Sequence, residues 1–345
     1  MQAVRIHAHG GPEVLQYESV PDPVPRAHEV LVQVRACALN HLDLWNRKGL
    51  PRPAVNLPLI LGSDIAGQVV AVGELVDDVR PGDAVMVNPG VSCGHCAQCL
   101  SGRDNLCPRY HLLGAGRDGG YAQLVAVPRA NLVPKPDNLS FVEAAAVPLV
   151  FLTAWHMLVS RARVQPGEDV FIWGAGSGVG SAVIQIAKLW GARVITATRG
   201  EEKRAKALEL GADAVIDYAA EDVLQRVRQL TGGRGVDVVF EHVGQATWAT
   251  SIKMLARGGR LVTCGSTSGW EAETDIRYVF AKQLTILGSY MGSKGELLEL
   301  LPWVAAGRLR PVVHTVFPLS EAAQAHRLLE AQGQFGKVVL EPPAG

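Results

Sequence analysis

The segment DVFIWGAGSGVGSAVIQIAKLWGARVITATR, residues 169–199, carries the strongest structural signal in the chain. An apolar run is followed by four glycines within seven residues, then by an amphipathic run and a second apolar run. Strand, glycine turn, helix and strand in this order are typical of a dinucleotide-binding βαβ unit. Glycine lets the backbone approach a pyrophosphate, and the helix N-terminus offers it N–H donors. The alternative interpretation is a plain glycine-rich turn.

The glycine turn supplies the first candidate cofactor residues, which are Gly174, Gly176, Gly178, Val179 and Gly180. Thr198 and Arg199 end the second apolar run, and Lys203 follows one turn into the next predicted helix. Sites for NAD commonly carry a carboxylate there, whereas cations attract the 2′-phosphate of NADP. We therefore predict NADPH as the cofactor. NAD stays open as the alternative, because a solvated basic helix face would show the same residues.

Strand-like and helix-like segments alternate from residue 169 to about residue 266. This alternation predicts an α/β fold with a parallel, doubly wound sheet. Ligands of such sheets bind at the carboxyl ends of the strands. Residues at further predicted strand ends are therefore candidate cofactor contacts: Tyr218, Val243, Gly265 and Ser266.

The first 130 residues have a different pattern, with short β-rich runs separated by Gly and Pro, which predicts an all-β unit. Residues 140–162 then predict a helix in which Ser140 is the N-cap and Glu143 completes a capping box. The tail alternates helix-like and strand-like segments and is expected to complete the first domain. The predicted domains are residues 1–130, residues 131–285, and a return to the first domain over residues 286–345.

Four of the six cysteines lie close together, with the spacing C-x2-C-x2-C-x7-C, at Cys93, Cys96, Cys99 and Cys107. Four thiolates suit tetrahedral zinc and leave no open position for a substrate or water. We therefore predict one structural zinc per chain, in a lobe at about residues 90–110. An iron–sulfur cluster and redox C-x-x-C chemistry are the alternatives.

Charge and hydropathy exclude several classes of partner. Lys plus Arg and Asp plus Glu both number 33, so the formal net charge is zero. A neutral chain lacks the basic surface expected of a protein that binds nucleic acid or an anionic membrane. The N-terminus lacks the apolar core of a signal peptide, and the longest apolar stretch is too short to span a bilayer. We predict a cytoplasmic protein with a small-molecule substrate.

A cysteine lobe followed about 70 residues later by the glycine turn resembles the medium-chain dehydrogenase/reductase superfamily. Further matching motifs are ILGSDIAGQVVAVG (60–73), VRPGDAVMV (79–87), AAAVPLVFLTAWHML (144–158) and FGKVVL (335–340). This resemblance implies a GroES-like β-barrel catalytic domain and a Rossmann domain with the active site in the cleft between them. It also implies a homodimer or a tetramer of such dimers. The cofactor contacts that it implies are Ser289, Tyr290, Met291, Phe335 and Lys337.

The chain departs from the zinc alcohol dehydrogenases of this superfamily at the catalytic metal. Where those enzymes place three ligands, this chain has Asn40, Ser63 and a residue near Leu149, which do not form a catalytic zinc site. Asp64 alone would bind a divalent ion poorly. The pattern resembles the quinone oxidoreductase and enone reductase branch, in which Asn replaces the first ligand.

These residues favour a reductase that transfers hydride from NAD(P)H to a quinone or an α,β-unsaturated carbonyl without catalytic zinc. Hydrogen-bond donors then stabilise the charge on the carbonyl oxygen, and Asn40 is the candidate donor through its amide. The alternative role of Asn40 is to cap or brace a loop. Asp43 is a further candidate, either in a relay with His41 or as a residue that braces a turn. One alternative is an NAD-dependent alcohol dehydrogenase with an atypical metal site that uses Asp64. Another is a non-catalytic protein that binds partners through its zinc lobe.

Overall fold

The computed structural model describes residues 1–50 and 55–343, and the chain divides into two compact units. Unit 1 comprises Met1–Leu149, Ser293–Gly307 and Pro311–Gly345, and unit 2 comprises Val150–Gly292 and Arg308–Arg310. The sequence predicts boundaries near residues 130 and 285. The first segment of unit 1 includes the strand Leu132–Pro134, which pairs with Ala84–Val87.

The first part of unit 1 is mostly β-structure. In chain order it contains β1 (Gln2–Ile6), β2 (Leu15–Ser19), β3 (Glu29–Ala38), α1 (His41–Lys48), β4 (Leu59–Ile60), β5 (Asp64–Val72), β6 (Ala84–Val87), β7 (Gly90–Val91), α2 (Ala97–Leu100), β8 (His111–Leu112), β9 (Leu124–Pro128), β10 (Leu132–Pro134), α3 (Phe141–Ala145) and the start of α4 (Pro148–Trp155).

The predicted helix over residues 140–162 is interrupted in the structure. Ser140 Oγ accepts a hydrogen bond from the backbone N–H of Glu143 (3.2 Å), and the Glu143 side chain closes the capping box, as the sequence predicts. The helix stops at Ala145 and restarts at Pro148, because proline lacks the N–H that a continuous helix needs there. A π-helical turn, His156–Arg161, ends the segment.

Unit 2 alternates strands and helices as the sequence predicts. Its elements are β11 (Asp169–Trp173), α5 (Gly178–Leu189), β12 (Arg193–Thr198), α6 (Glu201–Glu209), β13 (Ala214–Asp217), α7 (Val223–Leu230), β14 (Val236–Glu241), α8 (Gln245–Met254), β15 (Leu255–Thr263), α9 (Ile276–Lys282) and β16 (Thr285–Gly288).

The sheet of unit 2 is entirely parallel, in the order β13-β12-β11-β14-β15-β16. Its central strands are apolar and fully buried, as at Phe171, Ile195 and Val239, which explains why they form unbroken hydrophobic runs in the sequence. The strand order reverses direction between β11 and β14. The doubly wound Rossmann sheet is thus confirmed, and a ligand of such a sheet binds beside this reversal.

The chain then returns to unit 1 with α10 (Lys294–Ala305), β17 (Val313–Pro318), α11 (Ala322–Glu330) and β18 (Lys337–Glu341). The main sheet of unit 1 is mixed, in the order β10-β6-β5-β3-β18-β17, with β9 also pairing with β3. In the described part of the chain this sheet is an open path, where the sequence predicts a GroES-like β-barrel.

Strand register in unit 1 brings three distant chain segments together. At the end of β3, Ala38 lies opposite Asp64, the first residue of β5, and also opposite Val339 of β18. The ends of β3, β5 and β18 therefore meet at one point of the sheet. Among the described helices of the chain, none is long and apolar enough to cross a membrane.

Candidate functional site

The four predicted zinc ligands come together in unit 1. The Sγ atoms of Cys93, Cys96, Cys99 and Cys107 all lie within 4.8 Å of one another, and no other such group of metal-ligand side chains occurs among the described residues. Backbone N–H groups point at the sulfurs, as from Cys96 to Cys93 Sγ at 3.3 Å. Backbone donation from His95 is the main cause that lowers the pKa of Cys93 to about 5. Converging thiolates of this kind fit a metal ion.

The lobe that carries these cysteines is fixed to α10 by a lysine. Lys294 Nζ donates to Ser92 Oγ (2.9 Å) and to Asp104 Oδ2 (3.0 Å), and its backbone N–H donates to Asp104 Oδ1. His95 Nδ1 contacts the backbone carbonyl of Cys93 at 2.7 Å rather than a sulfur.

A second cluster forms where β3, β5 and β18 meet, around the fully buried carboxylate of Asp64. Asp64 Oδ2 accepts from Lys337 Nζ and from Asn40 Nδ2, both at 2.9 Å. Asp64 Oδ1 accepts from the backbone N–H of Leu149 at 2.7 Å. Lys337 Nζ also donates to Asn40 Oδ1 at 2.6 Å. The three side chains form a closed triangle in which a cation neutralises the carboxylate.

Two members of this triangle, Asn40 and Lys337, are predicted site residues, and their predicted roles stay predictions. The Asn40 amide, predicted either as a donor to the substrate or as a group that caps or braces a loop, directs its N–H groups at Asp64 and, more weakly, at the carbonyl of Ala38 (3.5 Å). Asn40 is also the N-cap of α1. Lys337, predicted as a cofactor contact, is only 3% exposed and is bound to Asn40 and Asp64. The sequence shows no sign of this contact, because Asn40 and Lys337 are 297 positions apart.

At the other positions where zinc alcohol dehydrogenases carry metal ligands, this chain has residues that make hydrogen bonds within the protein. Ser63 is fully buried, and its hydroxyl donates to the carbonyl of Leu113 at 2.7 Å. Leu149 contributes its backbone N–H to Asp64. A divalent cation is poorly ligated by these groups, because one is an N–H, one is a hydroxyl that already donates a hydrogen bond, and one is a carboxylate in a salt bridge.

Asp43 lies just behind Asn40, at the start of α1. Its carboxylate accepts from the backbone N–H of Asn40 (2.7 Å) and from that of Gly62 (3.2 Å). Burial raises the pKa of Asp43 to about 6, against the lowering effect of these N–H donors. His41, its predicted relay partner, packs its ring edge-on against Trp45 at 5.0 Å. The contacts of Asp43 therefore favour the bracing role over the relay.

The glycine turn of unit 2 has the geometry that an anion site requires. Ser177 is the N-cap of α5, and its Oγ accepts from the backbone N–H of Gly180 at 2.9 Å. A Cβ on Gly180 would lie 2.3 Å from the carbonyl oxygen of Gly174, so only glycine fits where the helix approaches the strand. Gly174 has a left-handed φ of +63°, which allows the tight turn. The N-terminus of α5 thus fits a pyrophosphate.

The residues predicted to select NADPH lie where β12 ends and α6 begins. Thr198 is buried and its carbonyl accepts from the N–H of Tyr218 at 3.2 Å, whereas Arg199 is exposed. Burial lowers the pKa of Lys203, the charge of Glu202 raises it, and the charges of Arg199 and Lys206 lower it by less. Two cations close enough to repel each other suit a bound anion. Arg204, farther along α6, lies 3.7 Å from Glu201 instead.

The remaining predicted cofactor residues of unit 2 follow the carboxyl ends of its parallel strands. Val243 lies after β14, Gly265 and Ser266 after β15, and Ser289, Tyr290 and Met291 after β16. Their prediction as cofactor contacts stays a prediction. Phe335, also predicted, is buried in unit 1 beside β18.

Glu241 is a functional candidate that the sequence interpretation missed. It ends β14 beside the strand reversal and is fully buried. Its carboxylate accepts from the N–H groups of Val243 (2.7 Å) and Gly244 (3.0 Å) and from the hydroxyls of Thr247 and Ser251. An acidic residue before the turn "HVG" was the available signal. The carboxylate of Glu241 fixes the backbone beside the glycine turn.

Comparison with known proteins agrees with both units. The Alcohol dehydrogenase GroES-like domain family matches residues 26–137, and the Zinc-binding dehydrogenase family matches residues 178–306. The crotonyl-CoA reductase of Streptomyces avermitilis is 34% identical, over 96% of this chain and 83% of its own. The quinone oxidoreductase of Mus musculus is 31% identical, over 99% of this chain and 97% of its own.

Two solved structures extend this comparison. An NAD-dependent alcohol dehydrogenase is 52% identical and has a TM-score of 0.96 over 100% of both chains. A 2-octenoyl-CoA carboxylase reductase, in complex with NADP and 2-octenoyl-CoA, is 31% identical with a TM-score of 0.90, over 99% of this chain and 87% of that one.

The fold, the glycine turn and these matches define an NAD(P)-dependent dehydrogenase or reductase. More specifically, the chain belongs to the medium-chain dehydrogenase/reductase superfamily. The interpretation as a non-catalytic protein that binds partners through its zinc lobe is thereby left without support.

Proposed function

We propose that this chain is an NADPH-dependent reductase of carbon–carbon double bonds activated by a carbonyl group, in quinones or α,β-unsaturated carbonyl compounds. The observation that carries this proposal is the triangle of Asn40, Asp64 and Lys337, in which a buried ammonium lies beside the carboxylate. An ammonium stabilises a developing oxyanion by hydrogen bonding, so the reaction has no need of a Lewis-acidic metal.

The bound nicotinamide would supply a hydride, and negative charge then spreads onto the carbonyl oxygen of the substrate. Lys337 has three N–H groups, of which two bond Asn40 and Asp64 among the described residues. The third is left for the substrate oxygen. Asp64 keeps the ammonium charged and Asn40 orients it, so these two residues position the donor. The final proton comes from water or from a cofactor hydroxyl.

Two of the relatives are named as enzymes of this chemical class, the crotonyl-CoA reductase and the quinone oxidoreductase. In both names the substrate is an electron-poor double bond conjugated with a carbonyl. This supports the proposed substrate class, while the choice between a quinone, an enone and an enoyl thioester is made by experiment.

The cofactor would lie on the glycine turn, with its pyrophosphate at the N-terminus of α5 and its adenosine end towards Arg199 and Lys203. The positive charges of Arg199 and Lys203 support NADPH over NADH, because such charges attract a 2′-phosphate. Two of the similar structures, both carboxylase/reductases, contain NADP, which supports this choice.

The cysteine lobe would hold one structural zinc, with Cys93, Cys96, Cys99 and Cys107 as its ligands. Four protein ligands close the coordination sphere, so this ion takes no part in the reaction and instead fixes the lobe. The backbone N–H directed from Cys96 at Cys93 Sγ supports binding as a thiolate. A reduced thiol cluster also agrees with the predicted cytoplasmic location.

The alternative is an NAD-dependent alcohol dehydrogenase, and the 52% identical structure of that description favours it. This alternative needs Asp64 to ligate a catalytic metal. The carboxylate would have to give up Lys337 and Asn40, leaving a buried ammonium without its counter-ion.

A homodimer is proposed through the edge of the unit 2 sheet. β16 is the last strand of that sheet, and Ile286 on it is 40% exposed. Ile276 and Phe280 on the neighbouring α9 are 70% and 69% exposed, and Trp270 is 67% exposed. An unprotected apolar edge strand promotes aggregation unless it is paired. Pairing with the same edge of a second copy covers it.

The test is NADPH and NADH consumption by the purified chain with quinones, enones, enoyl thioesters, aldehydes and alcohols, together with metal analysis of the same sample. We expect turnover of conjugated carbonyls with NADPH, one zinc per chain, and activity that survives chelation. Alcohol oxidation with NAD that is lost on chelation, in a sample with two zinc ions per chain, would overturn the proposal.

A further inference from the structure

His242 follows β14 at the point where the strand order of unit 2 reverses. Its Nε2 lies 2.7 Å from the backbone carbonyl oxygen of Trp173, the last residue of β11. The imidazole therefore connects the carboxyl ends of the two strands between which a doubly wound sheet binds its ligand. The proposed reaction gives this side chain no role.

The ring of His242 also packs against the glycine turn. A Cβ on Gly174 would lie 3.3 Å from both Cε1 and Nε2 of the imidazole. On the other side, a Cβ on Gly265 would lie 3.1 Å from the carbonyl oxygen of His242. Gly174 and Gly265 are both predicted cofactor contacts, and His242 lies between them. The residue is only partly buried, so a ligand can still reach it.

The contact with Trp173 fixes the position of the hydrogen on the imidazole. A backbone carbonyl only accepts, so Nε2 carries the hydrogen and donates it to Trp173. Burial lowers the pKa of His242, against the raising effects of this hydrogen bond and of the Glu241 charge, so the ring is neutral. Nδ1 then has a lone pair and no hydrogen. Among the described residues Nδ1 has no hydrogen-bond partner, so it is available as an acceptor.

A lone pair at this place selects the group that binds beside it. Nδ1 repels a phosphate oxygen, whereas a hydroxyl group can donate to it. In the proposed arrangement the pyrophosphate lies at the N-terminus of α5, and the adenosine end lies towards Arg199 and Lys203, which follow β12. β12 and β14 flank β11 on opposite sides. The half of the cofactor that passes β14 is therefore the nicotinamide half, and the hydroxyl groups next to the pyrophosphate are those of its ribose.

We propose that His242 is a cofactor-binding residue whose Nδ1 accepts a hydrogen bond from a hydroxyl group of the nicotinamide ribose, while Nε2 anchors the ring to β11. This inference rests on the proposed function, because it needs a dinucleotide bound on the glycine turn. The anchor holds the ring in one orientation, so the acceptor is in place before the cofactor binds. A fixed ribose in turn orients the nicotinamide that supplies the hydride.

Asparagine and glutamine divide the two contacts of His242 between two variants. The side-chain oxygen of Asn can occupy the position of Nδ1 but cannot reach Trp173, so His242→Asn keeps the acceptor and loses the anchor. The Gln amide reaches the position of Nε2 and places no acceptor at Nδ1, so His242→Gln keeps the anchor and loses the acceptor. A histidine with a structural role alone would make stability and cofactor affinity fall together in each variant.

The experiment measures the Tm of the zinc-loaded full-length chain and its Kd for NADPH by isothermal titration calorimetry. His242→Gln should keep its Tm within about 2 °C of the original and bind NADPH about tenfold more weakly. His242→Asn should lower the Tm by about 3–5 °C and keep its Kd within about threefold. A Kd that is unchanged in both variants, or an affinity that falls only where the Tm falls, would overturn the inference.

Thr196→Val is the matched control. Thr196 is fully buried on β12, and its Oγ1 donates to the carbonyl of Ile172 on β11 at 2.7 Å. The variant removes another side-chain hydrogen bond to the backbone of β11, but from inside the sheet. It should lower the Tm about as much as His242→Asn and leave the Kd for NADPH within about twofold. A tenfold loss of affinity in this control would overturn the inference, because loosening β11 would then suffice to weaken cofactor binding.

The ligand 2′,5′-ADP, which lacks the nicotinamide half, shows which half of the cofactor His242 contacts. His242→Gln should bind 2′,5′-ADP as tightly as the original chain does, and a tenfold loss with this ligand would overturn the inference. The original chain tests the proposed cofactor separately. If it binds NADH more tightly than NADPH, the choice of NADPH is wrong, and the same comparison with NADH and 5′-AMP still tests His242. An original chain that binds neither dinucleotide would overturn both proposals.

Discussion

Asp64 in unit 1 and Glu241 in unit 2 are both fully buried carboxylates at strand ends, yet their surroundings differ. Asp64 is neutralised by the ammonium of Lys337 and shares it with Asn40. Glu241 is surrounded by uncharged donors, namely two backbone N–H groups and the hydroxyls of Thr247 and Ser251.

The difference separates a reactive site from a structural support. In unit 1 the ion pair keeps a cation in a buried environment of low dielectric constant, where a hydrogen bond to a developing oxyanion is strong. In unit 2 every donor is directed at the carboxylate, so the backbone of the turn after β14 is fixed and no charged donor is left over. Changes in unit 1 should therefore affect kcat, and changes in unit 2 should affect cofactor binding.

The largest effect is expected from Lys337→Met, which leaves the Asp64 carboxylate buried and unpaired. We expect the free energy of unfolding to fall by about 3–5 kcal/mol and kcat/KM to fall on the order of 10³-fold. Urea denaturation and steady-state kinetics measure these two quantities.

The double variant Asp64→Asn with Lys337→Met is the control for that substitution. It removes the unpaired charge, so most of the lost stability should return while the activity stays low. A single variant that keeps its kcat within twofold would show that Lys337 is not the donor.

The next effect is expected from Arg199→Glu, which places a carboxylate where the 2′-phosphate would bind. We expect kcat/KM to fall about 30–100-fold with NADPH and to stay nearly unchanged with NADH. Arg204→Glu changes the net charge equally, but this residue lies farther along α6, beside Glu201, so its effect should be under threefold. Equal losses with both cofactors would contradict a phosphate site at Arg199.

Glu241→Gln should have a smaller effect, because one acceptor oxygen remains while an NH₂ group faces backbone donors. We expect a loss of about 2 kcal/mol in unfolding free energy and a rise of roughly tenfold in the KM for NADPH, with kcat little changed. Glu209→Gln, at an exposed position on α6, is the control. A fall in kcat with an unchanged KM for NADPH in Glu241→Gln would contradict the structural role given to Glu241.

The smallest expected effect is a change in how the free energy of unfolding depends on pH. The pKa of His326 is lowered from 6.5 to about 3 in the folded chain. Between these two pH values the unfolded chain binds a proton at this histidine and the folded chain does not. The contribution of this neutral histidine to stability is present above pH 6.5 and is lost as the pH falls from 6.5 towards 3. Asp43, with its pKa raised to about 6, acts in the opposite sense between pH 6 and pH 3.8, because its folded form binds the proton more tightly.

The variant His326→Gln removes the contribution of the histidine to this pH dependence and leaves that of Asp43 in place. The stability of this variant relative to the original chain should rise by about 1.4 kcal/mol for the unit of pH between 5.5 and 4.5. Urea denaturation at the two pH values measures it. A relative stability that is independent of pH would show that His326 takes up a proton in the folded chain.

Local spacing explains what the sequence predicts correctly. The glycine turn and the cysteine cluster each span fewer than 20 residues, so the order of residue types already specifies the turn, the helix start and the converging sulfurs. The parallel sheet follows from the alternation of apolar strands with helices. Ser140 and Glu143 show the same principle, since a capping box is a contact within one helical turn.

The parts that the sequence analysis missed depend on strand register across the whole chain. Lys337 meets Asn40 only because β18 pairs with β3, and no local pattern records that pairing. Local patterns therefore indicate Lys337 only as a cofactor contact, and Asn40 only as a hydrogen-bond donor or a cap. The connection of Tyr121 to His326 is likewise a contact between residues 205 positions apart.

The central claim is that Lys337, and not a metal ion, neutralises Asp64. Zinc content per chain tests it most directly, measured by atomic spectroscopy on the original chain, on Cys96→Ser and on Asp64→Ala, all produced with excess zinc. We predict one equivalent in the original chain, one in Asp64→Ala and none in Cys96→Ser. A second equivalent that survives in Cys96→Ser and disappears in Asp64→Ala would contradict the account.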